Sequence, residues 1–142
     1  MNVLDIIKMN VKSYRFVTCY MEPEDNVLFF NPKENLNINL SIAEELVSNR
    51  LDFVKNKKHY LIQQVTRISE IDYDAIQYLK SINHGFKNIL GVAYVGSGQL
   101  SLQIADIFIK HHKKIPAQLF YSESDAIKWI KELREYHKVT QQ

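Results

Sequence analysis

Three times between residues 59 and 136, a compact apolar run gives way to a segment with helical spacing. Residues 59–65 precede a helix-like stretch over 72–83 with Ala75, Ile76, Leu79 and Ile82 on one face. Residues 88–95 precede a segment holding Leu100, Ile104, Ala105, Phe108 and Ile109, and residues 116–121 precede one that turns Ala126, Ile130 and Leu133 inward. Short apolar runs bounded by turns suit strands buried on both faces. A helix-length connection lets successive strands lie parallel by the right-handed crossover. The alternation therefore predicts an α/β domain on a mostly parallel sheet.

The N-terminal part adds antiparallel strands. Residues 13–20 and 26–30 flank Met-Glu-Pro-Glu-Asp, whose Pro23 and Asp25 favour a turn, and together they read as a β-hairpin. Residues 37–40 alternate as a short strand would. Ser41-Ile-Ala-Glu44 then forms a capping box ahead of Ala43, Leu46, Val47 and Val54, so a helix is expected over 41–56. Gly85 is expected to end the helix after residue 83 in the left-handed conformation. Ser122-Glu-Ser-Asp125 caps the last helix, and residues 140–142 read as a frayed tail. With no internal repeat and no Gly/Ser/Pro linker, residues 1–142 form one domain with about four helices.

Composition narrows the function classes. At 46% hydrophobic and 24% charged, the 142 residues can build a core. Eighteen basic against sixteen acidic side chains leave a net charge of +2, far below what draws a protein onto phosphate backbones, so nucleic acid is not an expected partner. One cysteine, Cys19, excludes an internal disulfide and has no cue for thiolate activation. The N-terminus lacks a basic leader and a long apolar run, which makes the cytoplasm the expected location. No stretch approaches the roughly 20 apolar residues of a transmembrane segment. His111 and His112 would point about 100° apart on a helix, and His59, His84 and His137 are isolated, so neither a metal nor another cofactor is expected. The aromatic residues are scattered, as core residues would be.

Residues 65–79, Val-Thr-Arg-Ile-Ser-Glu-Ile-Asp-Tyr-Asp-Ala-Ile-Gln-Tyr-Leu, read as the end of a buried strand, a short turn and the opening of a helix. That places Asp72 and Asp74 at a helix N-terminus, where a carboxylate can simply cap free N–H groups and complement the helix dipole. The segment resembles the signature of STAS domains, the fold of the bacterial anti-sigma-factor antagonists, in which Ile-Asp-Ser-Ser-Gly-Leu carries a phosphoacceptor serine. Both serine positions have changed here, to Tyr73 and Asp74. The resemblance covers roughly residues 13–136. It is nearer to the small bacterial SpoIIAA-like proteins, whose last segments resemble Ile115-Pro-Ala-Gln-Leu-Phe-Tyr-Ser-Glu-Ser-Asp-Ala-Ile-Lys-Trp-Ile. It implies a STAS-like single domain: a hairpin, a strand and a helix, then three strand–helix units. Asp74 would hold about one negative charge, against roughly −1.5 to −2 for a phosphoserine, as a partial and permanent mimic.

Gly96-Ser97-Gly98 follows a buried strand and frees backbone N–H groups near a helix start. It lacks the Lys-Ser/Thr of a nucleotide phosphate loop and the spacing of a dinucleotide fingerprint, and a structural turn is its ordinary reading. In a doubly wound sheet this loop would share a rim with Asp74 and form an anion or ligand site with Arg67 and Ser97. The expected function is a non-enzymatic cytoplasmic interaction or regulatory domain lacking the phosphoacceptor serine. Its expected partner surface is Asp72, Tyr73 and Asp74, and the exposed N-terminal strand edges suit a homodimer. The alternatives are a carrier of a small hydrophobic ligand or lipid, and an enzyme with its site at the Gly96–Gly98 rim.

Overall fold

The computed structural model of the chain describes residues 10–22, 25–111 and 114–140. In chain order, β1 (Asn10–Ser13), β2 (Val17–Met21), β3 (Val27–Pro32) and β4 (Leu36–Ile38) lead to α1 (Leu40–Phe53). Then come β5 (His59–Gln64), β6 (Ile68–Ile71), α2 (Tyr73–Lys80), β7 (Ile89–Val95) and α3 (Gln99–Ile109). β8 (Ala117–Phe120) and α4 (Glu123–Thr140) close the described chain. The main sheet has the order β1-β2-β3-β5-β7-β8, antiparallel as far as β3 and parallel from there on, while β4 and β6 pair in parallel as a small second sheet. The expected mixed, mostly parallel α/β fold is the observed one.

Each parallel crossover advances in the same direction, from β3 to β5 to β7 to β8. With right-handed connections, α1, α2 and α3 consequently share one face of the sheet. The strand order never reverses, so the fold lacks the doubly wound crevice expected of it, since such a crevice opens where helices switch faces. Period-two alternation separates the two cores. Leu28, Phe30, Leu61, Val65, Val92 and Tyr94 pack toward Leu46, Ile104 and Phe108, while Val27, Phe29, Ile62, Ala93 and Val95 pack toward Ala126 and Ile130 of α4. The far end of α4 is pinned by Arg134 to Asp25 and by His137 to the Tyr60 hydroxyl.

Several local expectations change. The strand expected over 13–20 begins only at Val17, because Ser13 ends β1 and the chain turns at Tyr14, whose N–H donates to the Val17 carbonyl at 2.8 Å. The capping box at Ser41 is not used; Asn39 caps α1 instead, its side-chain oxygen accepting from the Ile42 N–H at 2.9 Å. This helix also stops earlier than residue 56, since Lys55 and Asn56 adopt left-handed angles (φ 56° and 57°). β6 was not expected; it lies where a plain turn was read. α2 ends at Lys80 because Ser81 is extended (φ −65°, ψ 133°), and Ile82 is exposed rather than inward. Gly85 is not left-handed. A Cβ there would collide with the Leu79 carbonyl, so close approach of backbone to backbone is what demands glycine. Ser122 does cap α4, accepting from the Asp125 N–H, and Thr140 belongs to that helix. Pro23, His112 and residues 141–142 lie outside the described residues.

Candidate functional site

β6 delivers Asp72 directly to α2. The Asp72 N–H donates to the Ile38 carbonyl at 2.9 Å, prolonging the β4–β6 ladder, and the Asp72 carbonyl accepts the first helical bond from the Ile76 N–H at 2.9 Å. Asp72 therefore sits at the N-cap position, yet its side chain makes no capping bond. Asp72, Tyr73 and Asp74 are all exposed, Tyr73 to 73%, and none makes a side-chain hydrogen bond or ion pair with a described residue. The ordinary structural duty of an N-cap carboxylate is thus unfilled, and both carboxylates face solvent beside an uncovered aromatic ring. Ala75 is the one fully buried residue of α2 and anchors it against the core.

The glycine loop is positioned separately. Gly96 extends the β7–β8 pairing by donating to the Phe120 carbonyl at 3.1 Å, and a side chain there would strike Val65 and Ser101. Gly98 precedes α3 with φ 89°, a conformation that L side chains rarely adopt. Ser97 is exposed. Arg67 is turned away into the β3–β4 connection: its Nη1 donates to the Lys33 carbonyl at 2.6 Å, and its own carbonyl accepts from the Leu36 N–H at 2.7 Å. No hydrogen bond or ion pair joins Arg67, Ser97 and Asp74 to one another among the described residues. Among the described residues the two features do not form one bonded site.

Two features of the interior escaped sequence reasoning. Arg50 is 3% exposed. Its Nη1 donates to His59 Nε2 at 3.0 Å and to the Lys87 carbonyl at 2.8 Å, and its Nη2 donates to the carbonyls of His84 and Gly85, both at 3.1 Å. The signal was its place on the apolar row of α1, four residues after Leu46 and four before Val54. The second is a cavity of about 80 Å³ between the main sheet and the α1–α3 face, lined by Leu46, Val92, Tyr94, Ile104 and Phe108 among others. No sequence pattern marks it, because the same residues would serve a solid core.

Among the described residues no group of three or more His, Cys, Asp or Glu converges as metal ligands would, and no helix is long and apolar enough to cross a membrane.

A family model described as a domain of unknown function (DUF7793) matches residues 21–134. Among solved structures, an uncharacterized protein of the DUF3478 family from Shewanella loihica PV-4, with a SpoIIAA-like fold, is similar at a TM-score of 0.52. That likeness has 14% sequence identity and covers 85% of this chain and 90% of the other. It shows the SpoIIAA-like fold that the resemblance over residues 13–136 implied, and the fold alone. No curated protein matches the chain.

Proposed function

We propose, for a chain that belongs to the DUF7793 family, a non-enzymatic role as an interaction domain that docks a protein partner on Asp72, Tyr73 and Asp74. The observation that carries it is the state of the α2 N-terminus, an exposed ring between two carboxylates that no described residue pairs. Tyrosine is enriched at interfaces because it offers large rigid contact area with a polar tip. Leu40 and Leu100, at the starts of α1 and α3, are also exposed.

By its resemblance to STAS domains, Asp74 stands where the antagonists carry phosphoserine. A carboxylate there fixes a negative charge, so the surface stays in one electrostatic state rather than switching with a kinase. The complementary patch on a partner is then basic, and affinity falls with ionic strength. Pull-down from the native host with wild type and Asp74→Lys tests this reading; an identical set of partners from both proteins refutes the surface. Self-association through β1, whose four residues are all exposed at the sheet edge, is a separate matter that light scattering resolves.

A further inference from the structure

The cavity under α1, α2 and α3 contains a polar group that the core does not use. Tyr94 on β7 is 6% exposed and lines the cavity, with its ring stacked on Phe108 at 6.3 Å between centroids. No hydrogen bond between its hydroxyl and another described residue is present, and the hydroxyl is not one of the sealed, unpartnered polar atoms of the interior. Gln63, also on the lining, spends its amide N–H groups on the Phe30 and Gln64 carbonyls, and its Oε1 accepts from no described residue.

We infer that this cavity is a binding site for a small neutral molecule with one hydroxyl or carbonyl group, held by apolar contact with Leu46, Val92, Ile104 and Phe108 and by a hydrogen bond to the Tyr94 hydroxyl. Size and charge set the class. About 80 Å³ is roughly half of an engineered cavity that accepts benzene, which suits on the order of three or four heavy atoms, a short-chain alcohol rather than an acyl chain. A carboxylate is disfavoured. The cation on the lining, Arg50, has both Nη groups committed to His59 and to backbone carbonyls, so the bidentate fork that grips a carboxylate is already taken and only Nε–H is left over. Burial raises the Tyr94 hydroxyl well above its ordinary value, so it remains a neutral donor and acceptor. The site is independent of the α2 surface proposed above.

The test is methyl NMR of the intact chain, following Leu46, Val92 and Ile104, with 1-propanol as polar probe and xenon as apolar probe. The expected result is saturable shifts confined to the cavity methyls with both. Tyr94→Phe should weaken 1-propanol about three- to ten-fold while leaving xenon unchanged, the scale of one hydrogen bond. A second variant, Val92→Ile, narrows the cavity without touching the hydroxyl and should abolish both responses. Xenon shifts without saturable 1-propanol shifts would mean an apolar packing gap only and overturn the inference. So would 1-propanol affinity that survives either variant unchanged.

Discussion

The guanidinium of Arg50 donates to Nε2 of His59 at 3.0 Å, so a buried cation leans on an imidazole rather than on a carboxylate. A ring nitrogen that accepts cannot carry a proton. The proton therefore sits on Nδ1, which donates to the Lys57 carbonyl at 2.9 Å, and the ring is neutral. Burial first, and then the Arg50 charge, push the His59 pKa down to about 4.

That depression makes stability depend on acid. Between about pH 6.5 and pH 4 the unfolded chain binds a proton at His59 that the folded chain refuses, so stability is full above that window and falls as pH is lowered through it. The loss is on the order of 2–3 kcal/mol. Urea midpoints measured across this range should fall for wild type. They should fall less for His59→Gln, which can still accept from Arg50 but does not titrate.

Arg50 also anchors the loop after α2 by serving three of its carbonyls, those of His84, Gly85 and Lys87. Arg50→Met leaves these acceptors without their buried donors and should cost on the order of 3 kcal/mol. Amide exchange should accelerate across residues 81–88 more than in β5 or β7. Arg50→Lys should recover little, because an ammonium cannot reproduce the planar fork.

Two glycines should fail for different reasons. At Gly98 a side chain meets open space but inherits φ 89°, so Gly98→Ala should cost about 1–3 kcal/mol from backbone strain alone. At Gly85 the angle is ordinary and the Leu79 backbone blocks the Cβ, so Gly85→Ala should cost more and disturb the end of α2. Thermal unfolding of the two variants ranks them, and Gly85→Ala should melt lower.

These positions also show what the sequence could convey. The buried strands β5 and β7 and the helices that follow them were legible, because continuous apolar runs and 3.6-residue spacing report burial directly. β6 was not, since Ser69 and Glu70 are exposed and pair only in a small two-stranded sheet. The start of α1 was misplaced because Ser41 and Asn39 are both good caps, and only the fold of the preceding strand decides between them. Asp72 and Asp74 were correctly set at a helix start. That the Asp72 side chain forgoes capping depends on its rotamer, which no sequence pattern encodes.

A docking surface should be separable from stability. Tyr73→Ala removes no hydrogen bond with a described residue and should change unfolding free energy by less than about 0.5 kcal/mol. Asp74→Lys, which reverses a charge in the first turn of α2, should cost no more than about 1–2 kcal/mol through the helix dipole. Chemical denaturation checks this. A larger loss in either would assign these residues to folding instead.

The most direct measurement of the interaction role places a photo-crosslinking amino acid at position 73 in the native host, with position 136 on α4 as a comparably exposed aromatic control. The account predicts a specific protein captured from position 73, absent from position 136, and lost when Asp74→Lys is added. The same captured proteins from both positions, or capture indifferent to Asp74→Lys, would contradict it.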